Sequence, residues 1–385
     1  MDTIDYSNLN RQFLFREKDV GKPKSEVAAE FINRRVPGVN VRAHHGKIQD
    51  KPDEFYQQFH VVVAGLDSIP ARRWINETLC ALAQKITVVD EKTGEEREEW
   101  DLESIIPLID GGTEGLMGQT RVIFPHLTPC FECLLHLFPP DPLNFQECTL
   151  VSTPRQPQHC ISWALRFAWE DDPVRKGTKV DGDNPEHIKW IFEKALQRAK
   201  DCNISGVDYK LTQGVVKRII PAIASTNAII AAGCANEAWK IATNASRHLQ
   251  NWVMVSGGVG VYTSTTKYEK TEDCLICSLT GCTISVNPDM TLQEFIQFLI
   301  NDTATFLYVT QPSIMSVDPQ TGEKKFLHMT GFMAKRTAVN LPKKMSELVK
   351  EGTTLSITNK SVTTGENQIS RERNYLVGIK WKQSN

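Results

Sequence analysis

Over the first 125 positions the apolar residues alternate between a helical period and short strand-like runs. After Gly21-Lys22-Pro23 the pattern from Lys24 to Asn33 predicts a helix, and Val39 to Arg42 predicts a short strand. The run His60-Val61-Val62-Val63-Ala64-Gly65-Leu66 reads as a continuous strand of the kind buried on both faces of a parallel sheet, and Asp67-Ser68 opens the next helix. This alternation predicts a doubly wound α/β sheet, whose ligands sit at the carboxyl ends of strands, where Asp67 falls. Lys85 to Glu103 is dense in charge around Thr93-Gly94 and reads as a solvated hairpin or loop insertion without chemistry.

From about Cys148 to Asp208 the alternation stops. Pro154-Arg155-Gln156-Pro157 predicts an extended linker, and Asp183-Asn184-Pro185-Glu186 caps a helix carrying Ile188, Ile191, Phe192, Ala195 and Leu196 on one face. A long Ala/Ile-rich helix after Pro221, then strands at Trp252–Val255 and Val259–Thr263, predict that the chain re-enters the sheet domain. Beyond Cys282 a strand at Ile284–Val286, a helical stripe of Leu292, Phe295, Ile296 and Leu299 after Thr291, and turns at Pro319–Gly322 and Glu351-Gly352 predict an independent α+β module.

At 385 residues the chain exceeds what one core usually serves, which agrees with several domains. With 41% hydrophobic and 23% charged residues it is not a disordered or low-complexity chain. Its 44 basic and 46 acidic residues give a net charge of −2, so bulk electrostatics provides no reason to expect nucleic acid or anionic lipid as a partner. The segment from Ser285 onward has 12 basic and 9 acidic residues, or +3, which leaves −5 elsewhere and fits a protein-binding module. The long uncharged stretch Ile219 to Asn236 is interrupted by Pro221, Ser225, Thr226 and Asn227 and reads as a buried helix, not a membrane span. An acidic N-terminus without an apolar run predicts no secretory signal, and ten cysteines then imply a reducing compartment, cytoplasmic or nuclear.

Cys130-Phe131-Glu132-Cys133 and Cys274-Leu275-Ile276-Cys277 are two C-x-x-C knuckles, whose four thiolates match a tetrahedral structural Zn2+ site stapling distant segments. A redox pair would sit alone at a strand–helix junction of a smaller fold. Asn8, Arg11, Gln12 and Lys24 with Asp67 combine amides, cations and a carboxylate, the groups that a nucleotide triphosphate and Mg2+ require. Each of them alone is an ordinary surface residue. Cys148 and Cys160 flank the Pro-rich linker as candidate nucleophiles, and His159 beside Cys160 is a weak candidate base because adjacent side chains seldom face each other. Cys80, Cys202, Cys234 and Cys282 read as structural.

Met1-Asp2-Thr3-Ile4-Asp5-Tyr6-Ser7-Asn8-Leu9-Asn10-Arg11-Gln12-Phe13-Leu14-Phe15, Gly21-Lys22-Pro23-Lys24, Gly65-Leu66-Asp67-Ser68 with Arg72-Arg73, Asp110-Gly111-Gly112-Thr113, both knuckles and Cys148-Thr149 together resemble the activating enzymes of ubiquitin-like modifiers, which descend from ThiF/MoeB-type adenylating domains. The segments Asp181 to His187 and Leu211 to Pro221 resemble the neddylation branch. The resemblance implies a Rossmann-like adenylation domain in two parts (residues 1–147 and 209–283), a catalytic-cysteine region (148–208) and a ubiquitin-like β-grasp domain (284–385) that recruits the conjugating enzyme. It also implies ATP-dependent adenylation of the modifier's C-terminus, capture as a thioester on Cys148 and not Cys160, and transfer to the conjugating enzyme. Asn8, Arg11, Gln12 and Lys24 would hold the phosphates of ATP and Asp67 the Mg2+. Arg121 would face the modifier's tail and reject a tail arginine by like charge, the alternative being a surface arginine on a strand. A regulatory subunit of related fold would complete a heterodimer.

The family's opening strand, its Gly-x-Gly-Gly-x-Gly loop and the ribose-gripping acid precede the position of Met1 and are not among these 385 residues. Residues 1–385 alone are therefore expected to adenylate poorly. The rival readings are a truncated, non-catalytic binding subunit of the same complex and a sulfur-transfer relative; the Cys148 loop and the C-terminal module argue against the latter.

Overall fold

The computed structural model describes residues 2–89, 94–138, 147–182, 184–217, 222–249, 251–278, 281–302, 305–306, 309–317, 324–362 and 370–382. The chain forms two compact units, one of residues Met1–Leu135 with Ile223–Asn385 and one of His136–Ala222. The second unit encloses the 148–208 region expected to carry the reactive cysteine.

In the first unit, β1 (Val62–Ala64) leads into the Ile69–Leu82 helix, whose N-cap Ser68 accepts a hydrogen bond from the Ala71 amide. A two-stranded ribbon of β2 (Lys85–Val89) and β3 (Glu96–Trp100) follows, the solvated hairpin that the charge density predicts. β4 (Leu108–Glu114), β5 (Met117–Ile123), β6 (Trp252–Ser256) and β7 (Tyr262–Thr265) complete a mixed five-stranded sheet in the order β1-β4-β5-β6-β7. Only β1–β4 is parallel, with Ala64 opposite Asp110. The Ala224–Ala242 helix lies against β4 and β5, packing Ile230 and Cys234 onto Ile109, Val122 and Val255. Glycine at 118 permits this approach, since a Cβ there would lie 2.5 Å from Ile230 Cγ1.

Two expectations are corrected. β1 is an edge strand and not one buried on both faces: Val63 is 54% exposed. Val39 to Arg42 is extended but joins no ladder; the Asn33 side chain instead holds the Val41 N–H and C=O at 2.8 and 2.9 Å. A local polar side chain there takes the place of a neighbouring strand.

The C-terminal part of the same unit is a second five-stranded sheet, from β8 (Cys282–Val286), β9 (Pro312–Val317), β10 (Lys324–His328), β11 (Thr354–Val362) and β12 (Ser370–Trp381) in the order β10-β9-β11-β12-β8. β8 and β12 run parallel and the other pairs antiparallel, a β-grasp arrangement around the Leu292–Asn301 helix. That helix is set by a reciprocal cap, in which Thr291 Oγ1 accepts from the Glu294 amide and Glu294 accepts from the Thr291 amide. Leu292, Phe295, Ile296 and Leu299 pack on Ile314, Leu355, Ile357, Val377 and Ile379. Gly281, at φ +78, turns the chain into β8 where a Cβ would overlap the Leu376 backbone.

In the second unit, Pro157–Trp163, Pro185–Asp201 and Tyr209–Val216 are helices, the latter two capped by Asn184 and Asp208. Ile161, Ala164, Trp169, Ile191, Ala195 and Val215 form its core. Short helices with Pro or an oxygen-bearing side chain at each start are what the punctuation of this segment dictates.

Candidate functional site

The carboxyl ends of β1 and β4 lie side by side because the two strands are parallel neighbours. Asp67 emerges there, exposed, just before the Ile69–Leu82 helix. Arg72, one turn into that helix, reaches back: Nε and Nη2 donate to the Leu66 carbonyl at 3.1 and 2.7 Å, and Nη2 to the Gly111 carbonyl at 3.3 Å. Its Nε also stands 3.4 Å from Asp110 Oδ1. On the other side of Asp110, Arg121 Nε and Nη2 donate to Oδ2 at 2.9 and 2.8 Å. One buried carboxylate thus lies between two guanidinium groups, and Thr113 beyond it donates to Asn227 Oδ1 at 2.7 Å.

Arg121 sits in the interior of the sheet and not on its surface, at 1% exposure. The rings of Phe131 and Trp252 enclose its guanidinium at 4.2 and 5.3 Å to their centroids. Burial lowers its pKa against the opposing pull of Asp110.

The other cations and amides read from the sequence gather in the first 24 residues. The Asn8 side chain is buried and accepts from the Asp5 amide at 3.0 Å, closing a reciprocal cap on the Tyr6–Asn8 turn. Arg11 in the next turn donates to the Ser7 carbonyl at 2.6 Å. Lys24 opens the Lys24–Arg35 helix and is tied to this segment through its amide on the Asp2 carbonyl at 3.0 Å and through Asp2 Oδ2, 3.4 Å from Nζ. Ile4, Phe15 and Val27 form the small core that holds the segment together. Gln12 Oε1 is buried and accepts no hydrogen bond among the described residues, a polar atom in want of a donor such as a nucleotide's hydroxyl or amine would be. Asn8, Arg11, Gln12 and Lys24 are thus one local cluster, while Asp67 stands at the strand end.

The two knuckles converge. Cys130 Sγ is 3.9 Å from Cys133 Sγ and 3.6 Å from Cys274 Sγ, and Cys133 Sγ is 3.4 Å from Cys277 Sγ; all four lie within 4.8 Å of one another and are buried. Sulfurs about 2.3 Å from a tetrahedral zinc stand about 3.8 Å apart, so these residues fit the ion. Burial and the neighbouring thiols push the Cys130 thiol well above its ordinary range. The knuckles are anchored by Arg73, bidentate to Glu132 at 2.6 and 3.0 Å, and by Asn76 Oδ1 on the Phe131 amide.

Cys148 belongs to the short Glu147–Val151 helix in the second unit; its side chain lies outside the described residues. Cys160 is fully buried and its thiol is raised by burial, the reverse of what a nucleophile needs. His159 accepts from the Arg155 amide through Nδ1, an anchoring role. Asn227 is not legible in the sequence as a site residue. Arg72 and Asp110 stand in the sequence within the motifs Arg72-Arg73 and Asp110-Gly111-Gly112-Thr113, which give them no role of their own.

The ThiF family matches residues 1–274, and the E2 binding domain family matches residues 285–368. The chain belongs to the ThiF family, and its two sheets are the Rossmann-like adenylation fold and the ubiquitin fold of an E2 binding domain. It is 48% identical over 363 residues to the NEDD8-activating enzyme E1 catalytic subunit of Dictyostelium discoideum, covering 93% of this chain and 78% of that protein. The corresponding proteins of Drosophila melanogaster and Caenorhabditis elegans are 46% and 43% identical, covering 93% and 94% of this chain and 78% and 81% of theirs. Within the family the chain groups with these catalytic subunits. Among solved structures, E. coli MccB with ATP aligns with 72% of this chain and 56% of its own at 16% identity, with a TM-score of 0.39.

Proposed function

We propose that this chain activates a ubiquitin-like modifier of the NEDD8 type. The observation that carries the reading is the union, in one chain, of a ThiF adenylation fold and an E2 binding domain, at up to 48% identity to NEDD8-activating catalytic subunits. A binding-only subunit gives no account of so extensive a match to catalytic subunits. The modifier's terminal carboxylate attacks the α-phosphorus of ATP and releases pyrophosphate. A thiolate then attacks the acyl-adenylate carbonyl and AMP leaves, and a conjugating-enzyme thiolate finally displaces the first sulfur.

Asn8, Arg11, Gln12 and Lys24 would hold the phosphates of ATP, and Gln12 Oε1, an acceptor, would take a hydroxyl or amine of the nucleotide. Asp67 would hold Mg2+, which when bound neutralises phosphate charge. Cys148 would carry the thioester; it stands on a short helix of the smaller unit. Cys130, Cys133, Cys274 and Cys277 would hold a structural zinc. A regulatory subunit of related fold would complete the enzyme, and the four-thiol cluster favours a reducing compartment, cytoplasm or nucleus. Residues 285–368 would take the conjugating enzyme. Among the described residues no helix is long and apolar enough to cross a membrane.

Arg121 would discriminate against a tail arginine, but not as the free surface charge that the resemblance implies, because its guanidinium is buried and paired with Asp110. Its test is Arg121→Gln, which should raise ubiquitin activation relative to the native modifier; an unaltered ratio of the two refutes that role. The reading as a whole is tested by thioester formation in the assembled enzyme with ATP and modifier. Cys148→Ser should replace the reducible adduct by a stable ester or none and Cys160→Ser should leave it intact, whereas the opposite pattern would reassign the nucleophile.

A further inference from the structure

Arg72 does something that no part of the proposed chemistry assigns to it. Beyond the last β1–β4 pair, Ala64 with Asp110, two carbonyls on these neighbouring strands are left for a donor other than the parallel ladder, Leu66 after β1 and Gly111 in the middle of β4. A single guanidinium satisfies both, with its two donors to Leu66 at 2.7 and 3.1 Å and its shared donor to Gly111 at 3.3 Å. Leu66 C=O belongs to the peptide unit that supplies the amide of Asp67. Fixing that carbonyl fixes the peptide plane from which the Asp67 carboxylate departs.

The seat of the guanidinium is equally specific. A Cβ at residue 112 would lie 2.8 and 2.9 Å from the two terminal nitrogens of Arg72, so only glycine leaves the group room to lie flat across the strand end. Asp110 Oδ1 supplies the countercharge from below, at 3.4 Å from Nε, while its Oδ2 is held by Arg121. Planarity, a fork of donors and permanent charge are properties of arginine that lysine cannot reproduce.

We infer that Arg72 is a positioning residue: it clamps the Leu66–Asp67 peptide to β4 and so presents the Asp67 carboxylate to the divalent cation of the nucleotide. The inference rests on the proposed reading of Asp67 as the magnesium-binding carboxylate and deepens it.

The test is modifier-dependent ATP–pyrophosphate exchange by the assembled enzyme, titrated with Mg2+, together with calorimetric titration of Mg2+ into the ATP-bound enzyme as a binding readout independent of turnover, comparing Arg72→Lys, Gly112→Ala and Asp67→Asn. Loss of a charge-assisted fork should raise the Mg2+ concentration for half-saturation by about tenfold in Arg72→Lys. Gly112→Ala, which keeps the arginine but displaces it, should shift the same quantity in the same direction. In both, kcat at saturating Mg2+ should recover most of the native value, which a merely structural defect would not allow. If Asp67→Asn shifts the Mg2+ requirement and the other two lower kcat at every Mg2+ concentration without moving half-saturation, the clamp is refuted and the role of Asp67 stands. If Asp67→Asn itself leaves the Mg2+ requirement unmoved, the reading of Asp67 fails and the clamp with it.

Discussion

Asp110 shows how one residue can bear on both the site and the stability of the fold. Its carboxylate is 1% exposed and is stabilised by the paired guanidinium of Arg121 and by Arg72 alongside. Removing one partner of a buried pair leaves an uncompensated charge, which costs about 3–5 kcal/mol, far more than the pair contributes over an apolar substitute. Arg121→Gln should therefore lower the urea midpoint markedly, and Arg121→Met with Asp110→Leu should recover much of the loss. A double variant as unstable as the single one would show that the packing between Phe131 and Trp252, and not the charge, holds the strand. The type of residue at 110 and 121 is plain in the sequence. Their pairing is not, because opposition across an antiparallel ladder depends on a register that only the fold sets.

At the scale of elements, the knuckles join segments 144 positions apart, and their second loop also supports the C-terminal module. Leu275 and Ile276, between Cys274 and Cys277, pack against the core built on Cys282, Val286 and Leu292. Arg73 reaches from Glu132 beside Cys133 to the Thr305 carbonyl at 3.4 Å. Metal analysis of Cys277→Ser should show zinc loss and a lower melting temperature, with greater hydrogen exchange in β8 than in β11, because the knuckle feeds directly into β8. Unchanged zinc content would overturn the assignment of the four ligands. The spacing of these cysteines is enough to propose them as ligands, since a C-x-x-C turn presents two sulfurs to one point. The convergence of two such turns is a tertiary fact.

At the scale of the whole chain, the β-grasp sheet is held to the adenylation fold by alternate residues of β12. Arg371 and Arg373 meet Asp53 at 2.8 and 3.2 Å, and the Tyr375 hydroxyl donates to Glu77. These three side chains share one face because a strand has a period of two. The two carboxylates respond to pH in opposite senses. Burial raises the pKa of Glu77 against the pull of Tyr375 and Arg373, so its contribution is complete below the ordinary glutamate value and is lost as pH rises through the elevated one. Burial also works to raise Asp53, but Arg373 and Arg371 together hold it low, so its contribution is present above the ordinary aspartate value and is lost as pH falls through the depressed one. Thermal unfolding should show Glu77→Gln gaining on the native protein as pH rises above the ordinary glutamate value, and Asp53→Asn losing least in strong acid. Parallel pH profiles for all three proteins would refute the seam's role in stability.

Much of this protein is determined by its sequence alone. The helix at Lys24, the solvated hairpin, the capped helices after Asn184 and Thr291 and each C-x-x-C turn by itself depend on residues a few positions apart, where local geometry dominates. Val61-Val62-Val63 has the pattern of an interior strand yet lies at an edge, because an apolar run records affinity for burial and not the position of a strand within its sheet. The enclosure of Arg121, the glycine seat of Arg72 and the β12 seam join residues 11 to 320 positions apart. Such contacts arise only when loop closure over those distances is offset by the burial of the whole core, so the tertiary structure alone could decide them.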